Sequence, residues 1–306
     1  MANGEGNGVD RSDRMVYGLR VPYFITESRI NELMQQVEPR NTDVWLVTYP
    51  RSGTTLTQGI LANLLNADAS RHQTVPWPEV GWENSRYYIS LDDLEKLVAP
   101  RCFKSHWTAS EHVDPIKSKA RFIHVSRDCP DMVTSYYYQY LNAIDGDKSY
   151  RRSWDDFFQQ FMTSELRWGS YFYHYYSWRR HYGRSNILYL TYEEILSDMP
   201  TAVRKIADFV GVDVTERDVQ RITEACRFAA MKAREPEMAH HYRVGAIGDH
   251  RRVMSEAQIN SLTHKMNEVK AMLQFPGDKS CAAAGRGRQA LTCADPVVAG
   301  KSLQTK

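Results

Sequence analysis

The run Tyr49-Pro50-Arg51-Ser52-Gly53-Thr54-Thr55 carries the groups needed to hold an anion. It follows a short apolar stretch, Val44-Trp45-Leu46-Val47, and precedes Leu56, Ile60, Leu61, Leu64 and Leu65 at helical spacing. A strand–loop–helix turn aims free backbone N–H groups at one point, and the helix dipole adds positive potential there. Gly53 allows close backbone approach. Ser52, Thr54 and Thr55 bring hydroxyls, and Arg51 brings a fixed charge with a planar fork. The run lacks the GxxxxGK[ST] of a Walker A loop, and such loops are ordinary turns in most proteins.

Other stretches bring further cations and one imidazole. Lys104-Ser105-His106 follows Arg101-Cys102-Phe103, a candidate strand end. Arg127 closes the apolar run 121–125, and Ser135 lies eight residues on. That spacing places the hydroxyl about two turns into the next helix, near the guanidinium. Arg243-Val-Gly-Ala-Ile-Gly248-Asp-His-Arg-Arg252 is a glycine-punctuated basic loop that could cap an anion from the far side.

These groups need elements that position them. Besides residues 44–47, the runs 121–125 and 186–190 read as buried strands. Helices are predicted after residue 55, over about 131–141 with Pro130 in the first turn, and through Val203, Ile206, Ala207 and Val210 to a stop at Gly211. Ser255 and Gln258 make a capping-box signature. Ile259, Leu262, Met266, Val269 and Leu273 then form one apolar stripe suited to core packing. Strands alternating with helices predict an α/β single domain with a central parallel sheet flanked by helices. Ligands of such folds sit at the carboxyl ends of the strands. The domain is expected over residues 15–275, between a Gly/Asn/Asp-rich disordered tail (1–14) and a low-complexity tail (276–306).

Composition narrows the function. The 306 residues are 42% hydrophobic and 25% charged, enough for a real core. A net charge of +2 argues against bulk nucleic-acid binding. No signal peptide or membrane-spanning run is expected. Cys102, Cys129, Cys226, Cys281 and Cys293 form neither a CxxC pair nor a disulfide frame, which fits a reducing, cytoplasmic setting. His240-His241 is adjacent rather than i,i+4 spaced, so no metal site is expected there.

Taken in order, Tyr49 to Thr55, Lys104-x-His106, Arg127 with Ser135, Tyr192 after a strand, and Arg243-x-Gly-x-x-Gly-Asp resemble the cytosolic sulfotransferases that use 3′-phosphoadenosine 5′-phosphosulfate (PAPS). The agreement runs from about residue 20 to 275. The resemblance implies sulfuryl transfer to a small-molecule acceptor, without metal, leaving adenosine 3′,5′-bisphosphate. By position, Arg51, Ser52, Gly53, Thr54 and Thr55 would form a P-loop-like cradle for the 5′-phosphosulfate. Arg127, Ser135, Arg243 and Gly245 would clamp the 3′-phosphate. Leu56, Tyr192, Cys226, Phe228 and Val244 would contact the nucleotide, Phe228 near the adenine. Lys104 and Arg51 would stabilise charge at the transferred group, and His106 would be the catalytic base. Aromatic clusters offer Trp77, Tyr136 and His174 as acceptor walls.

The chain departs from the family pattern at several positions. Arg51 stands where Lys is usual, Leu56 where Trp commonly stacks on adenine, Val244 for Lys and His250 for Trp. Arg251 to Asn260 match the family dimer motif poorly, which leaves monomer or homodimer open. The stretch from Phe228 to Arg243 is shorter than in vertebrate members, which would open the acceptor pocket. Two other readings remain at this stage, a P-loop nucleotide kinase and a nucleotide-binding regulator without turnover. The missing Gly-Lys-Ser/Thr opposes the first, and intact Lys104 and His106 oppose the second. Phenol, aliphatic alcohol, steroid, amine and hydroxylated toxin acceptors all stay open.

Overall fold

The computed structural model describes residues 12–65, 74–85, 87–110, 113–141, 152–235 and 242–274. The chain opens with a small antiparallel hairpin, β1 (Arg14–Val16) and β2 (Leu19–Val21), joined through Tyr17-Gly18. Asp13 and Arg14, inside the stretch expected to be a tail, thus belong to structured chain. Helix α1 (Glu27–Gln36) follows, capped by the Thr26 hydroxyl. Then come β3 (Val44–Thr48), α2 (Thr54–Leu65), α3 (Leu91–Lys96), β4 (Cys102–Ser105), β5 (Arg121–Ser126) and α4 (Cys129–Leu141). The remainder is α5 (Trp154–Met162), α6 (Tyr171–Arg179), β6 (Ile187–Thr191), α7 (Tyr192–Ser197), α8 (Met199–Val210), α9 (Glu216–Ala225), α10 (Phe228–Arg234) and α11 (Glu256–Gln274).

β3 to β6 form one parallel sheet in the order β4-β3-β5-β6. Side chains alternate across it. Val44, Leu46, Ile123 and Val125 pack on α2, α8 and α9, while Val47 and Phe122 pack toward α4, α6 and α11. Both faces are covered, so the strands read as near-continuous apolar runs. The register pairs Val47 with Ser105, Thr48 with Val125 and Ser126 with Thr191. The four strands therefore end nearly level, and the turns after them share one edge.

The expected helix signals are present. Pro130 sits in the first turn of α4. Gly211 ends α8 at φ 77° and donates its N–H back to Ala207. Ser255 and Gln258 exchange hydrogen bonds of 3.0 and 3.3 Å ahead of α11. Leu262 and Val269 of its apolar stripe are fully buried. No helix among the described residues is long and apolar enough to cross a membrane. The tails 1–11 and 275–306, His240-His241, Cys281 and Cys293 lie outside the described residues, as do 236–241 of the shortened stretch.

At the opposite edge of the sheet, Arg101 is buried ahead of β4. It donates from Nε and Nη2 to Asp43, just ahead of β3, at 2.8 and 2.7 Å, and from Nη1 to Glu95 at 2.9 Å. This pair fixes where the edge strand β4 and its central neighbour β3 begin. Asp43→Ala leaves a buried guanidinium half-compensated, and a loss of about 3 kcal/mol in denaturant unfolding is expected. A loss below about 1 kcal/mol would mean the pair does not hold the strand starts.

Candidate active site

The turn after β3 has an unusual backbone. Arg51 has φ 67° and Gly53 φ 109°. A Cβ at Gly53 would lie 3.1 Å from the Tyr192 ring, so the loop lies flat on that tyrosine. Thr54 opens α2, its hydroxyl 2.6 Å from that of Thr48. Pro50, Arg51, Gly53, Thr54, Thr55 and Leu56 all face a cavity of about 490 Å³. Ser52 does not. It is fully buried beneath the loop, and its hydroxyl has no partner among the described residues.

Three arginines from distant stretches reach this cavity. Arg51 Nε donates to Ser135 Oγ at 3.0 Å. Arg127 Nη1 donates to the Arg51 carbonyl at 3.2 Å and Nη2 to the Ala246 carbonyl at 3.4 Å, its guanidinium 4.5 Å from the Tyr192 ring centre. Arg243 donates to the Asp249 carboxylate and lies 4.3 Å from the ring centre of Tyr138. Burial, then the charges of Arg127 and Arg243, push the Arg51 guanidinium down to about 10, still cationic at neutral pH. The Nε groups of Arg127 and Arg243 are buried with no acceptor among the described residues. Two orphaned charged donors on one cavity wall fit a multiply charged anion.

The 243–250 loop is tied to the first turn of α4. Asp131, 1% exposed, accepts from Gly248 N at 2.6 Å, His250 N at 3.1 Å and His250 Nδ1 at 2.8 Å. Burial opposes ionisation, yet these hydrogen bonds hold its carboxyl below the usual range. Asp128, Asp131 and His250 are close enough to chelate a cation, but both Asp131 oxygens are already engaged by N–H donors. Gly245 has φ 68°, and a Cβ there would fall 2.2 Å from the Phe228 ring, so backbone and ring close directly on each other. Leu56, Cys226, Phe228, Met231 and Tyr192 make the apolar and sulfur-rich wall beside this loop, and Val244 lines it too.

At the other side of the cavity stands His106, just past β4. Its Nδ1 lies 2.8 Å from the Thr48 carbonyl oxygen. A carbonyl only accepts, so Nδ1 carries the proton and Nε2 keeps the lone pair. Burial, and next the charge of Lys104, holds the imidazole well below the ordinary histidine value. The ring meets Trp77 and Trp168 edge-on at centroid separations of 5.1 and 5.2 Å. Lys104 Nζ sits 3.8 Å from the centre of the Trp77 ring.

Trp77 and Tyr136 line the cavity, but His174 does not. On α6, His174 shares the inward face with Tyr171 and Trp178. It stacks on His124 at 5.8 Å, deep in the core, and burial pushes its imidazole down to about 3. The wall residue missed from sequence is Trp168. It holds φ 68°, rare for a bulky side chain. Its segment is clamped at three points: Tyr49 OH donates to the Gly169 carbonyl, Tyr136 OH to the Arg167 carbonyl, and Arg167 N to Tyr140 OH. The only signal was a Trp-Gly-Ser step before an aromatic-rich helix.

This fold has known counterparts. The Sulfotransferase domain family model matches residues 41–275. Mouse Sulfotransferase 6B1 is 25% identical over 86% of this chain and 87% of its own. Human Sulfotransferase 4A1 is 30% identical over 69% of this chain and 73% of its own. Among solved structures, mouse sulfotransferase SULT7A1 complexed with PAP superposes with a TM-score of 0.72 at 21% identity, covering 89% of this chain and 96% of that one. Retinol dehydratase in complex with androsterone and inactive cofactor PAP gives 0.65 at 20% identity, covering 82% and 86%. The chain belongs to the sulfotransferase family, whose members carry sulfonate to small-molecule acceptors.

Burial of neutral His174 has a stability consequence. Unfolded, this imidazole takes a proton below about 6.5. Folded, it resists until about 3. Its contribution is therefore fully present above about pH 6.5 and is lost as the pH falls toward 3. His174→Phe is expected to flatten the fall in melting temperature between pH 7 and pH 5. A fall as steep as that of the wild type would contradict this account of the core.

Proposed function

We propose that this enzyme transfers a sulfuryl group from PAPS to a hydroxyl of a small-molecule acceptor, with His106 as general base. The observation that carries the reading is the Nδ1 contact to the Thr48 carbonyl. It leaves Nε2 with its lone pair free, on the same cavity that the Arg51, Arg127 and Arg243 guanidiniums border. The donor supplies an activated sulfuryl group on a phosphate leaving group. Arg51 and the 53–55 amides and hydroxyls would hold its 5′ end. Arg127, Arg243 and the Gly245 backbone would hold the 3′-phosphate, with Ser135 fixing Arg51 from behind. Phe228, Leu56, Cys226 and Tyr192 would bracket the base.

Neutral His106 takes the acceptor proton on Nε2 as the hydroxyl attacks in line. Lys104 and Arg51 offset the negative charge that collects on the leaving oxygens. A positioned base is worth about 10²–10⁴-fold. Solvent is kept off by the Trp77 and Trp168 rings. Cys102, Cys129 and Cys226 are all unpaired and buried, which supports a reducing, cytoplasmic setting. Arg51 retains the charge of the lysine it replaces, so we read it as a functional substitution.

His106→Ala is expected to lower kcat by at least about 100-fold while leaving binding of adenosine 3′,5′-bisphosphate intact. In the wild type, burial keeps His106 unprotonated, so kcat/KM should stay flat as the pH falls through about 6.5. Turnover within about threefold of wild type, less than a base contributes, would remove His106 from the chemistry. It would also favour a nucleotide-binding regulator if no acceptor is modified.

Arg127→Ala removes the guanidinium proposed to hold the 3′-phosphate. Calorimetric titration should show affinity for adenosine 3′,5′-bisphosphate reduced by about 10–100-fold. Unchanged affinity would take Arg127 out of the clamp.

A further inference from the structure

The cavity does not end at His106. It runs past Trp77, Trp168, Tyr136 and Tyr140 to a charged far end lined by Asp13, Arg20, Arg152, Gln160, Glu165 and Arg167. We propose that the natural acceptor is a phenol-type molecule bearing an anionic group, a carboxylate or its equivalent, on the side of its ring away from the modified hydroxyl. This rests on the sulfotransferase reading above and names its substrate class.

The aromatic stretch sets the middle of the acceptor. Trp77 and Trp168 lie 5.8 Å apart beside the His106 ring, and Tyr136 and Tyr140 meet edge-to-face at 5.0 Å. Walls of this kind favour a flat apolar body. Their geometry is rigid, because Trp168 is fixed by the tyrosine clamps and donates its N–H to the Arg20 carbonyl at 2.8 Å. That bond also places Arg20 beside the residue that touches His106.

The charges at the far end do not cancel. Arg167 Nε donates to Asp13 at 2.5 Å, so that pair is neutralised internally. Among the described residues Arg152 reaches the Gln160 side-chain amide, whose oxygen, with the amide turned to face it, accepts at 3.1 and 3.2 Å. Among the described residues Arg20 has no carboxylate within ion-pair range, and neither has Arg152. Glu165 accepts the Thr163 hydroxyl at 2.9 Å and pairs with no arginine among the described residues. Among the described residues three guanidiniums against two carboxylates leave a positive balance. A neutral acceptor gains nothing from it, and an ammonium is repelled. A carboxylate gains two planar donors of the kind that bind it in register. The positive end also offsets the repulsion an anionic acceptor would feel from the donor's phosphates.

Arg20 is built to face this space. It lies on β2 between buried Leu19 and Val21, so the alternation of the strand turns it away from the core. It and Arg152 are solvent-accessible, so their attraction is salt-sensitive.

Three phenols of matched length test the proposal: 3-(4-hydroxyphenyl)propanoate, 4-propylphenol and tyramine. Binding is measured by calorimetry without donor, and transfer is measured separately with PAPS. The carboxylate is expected to bind at least about fivefold more tightly than 4-propylphenol, with tyramine weakest. The preference should shrink with added salt. It should collapse in Arg20→Gln and in Arg152→Gln, and return in part in Arg20→Lys, with melting temperature as the check on folding. Equal binding of the three phenols, or a preference that survives both substitutions, overturns the proposal. A carboxylate preference without transfer to any phenol would instead leave the anion site standing and sink the sulfotransferase reading. Transfer to all three with equal affinity would do the reverse.

Discussion

Three guanidiniums held against one another around a single cavity are the constraint on which this site depends. Like charges at such range repel, and that repulsion adds to burial, the larger cause, in pushing the Arg51 guanidinium down to about 10. The fold withstands it by giving each arginine a fixed anchor. Arg51 leans on the Ser135 hydroxyl, Arg127 on two backbone carbonyls and the face of Tyr192, and Arg243 on Asp249 and the face of Tyr138. The anchors order the side chains before any ligand arrives. An entering polyanion then meets preformed charge and relieves the repulsion, so little ordering entropy is lost on binding.

Backbone topology makes the convergence possible. Four parallel strands end level, and each end contributes one part: the 49–53 turn, His106, Arg127 and Tyr192. The fifth part, Arg243, comes from a loop with no strand beneath it. Asp131 supplies the missing support, gripping Gly248 and His250 from the first turn of α4. His250 is thereby part of the scaffold. The departures from the family pattern fall on the nucleotide side. In the proposed reading, Leu56 and Cys226 would offer an aliphatic and sulfur surface in place of a stacking indole, which would leave Phe228, pressed against Gly245, as the aromatic partner for the base.

Much of this was legible in the residues because strand-end loops carry their chemistry in consecutive letters. The 49–55 run, Lys104-x-His106 and Arg127 each follow an apolar stretch that marks its own strand. Pro130, Gly211 and the Ser255/Gln258 pair mark helix ends by local rules that hold without tertiary context. The acceptor side was less legible. Tyr171 to Trp178 present an aromatic ring at almost every position, so periodicity cannot say which face meets a cavity and which meets the core. His174 was misassigned for that reason. Trp168 reaches the cavity only because Tyr49 after β3 and Tyr136 and Tyr140 of α4 hold its backbone in a left-handed turn, and no local pattern encodes that. Arg20 arrives on a three-residue strand too short to read. Ser52 followed the loop motif in sequence, yet the turn points it inward.

The central claim is that separate clusters of positive charge were assembled for two phosphates on one ligand. Calorimetric titration of the purified protein with adenosine 3′,5′-bisphosphate and with adenosine 5′-monophosphate, at one ionic strength, tests it most directly. The account requires the bisphosphate to bind more tightly by at least about tenfold, the worth of one charge-assisted contact. Equal affinity for the two nucleotides would contradict it, because Arg127 and Arg243 would then have no second phosphate to hold.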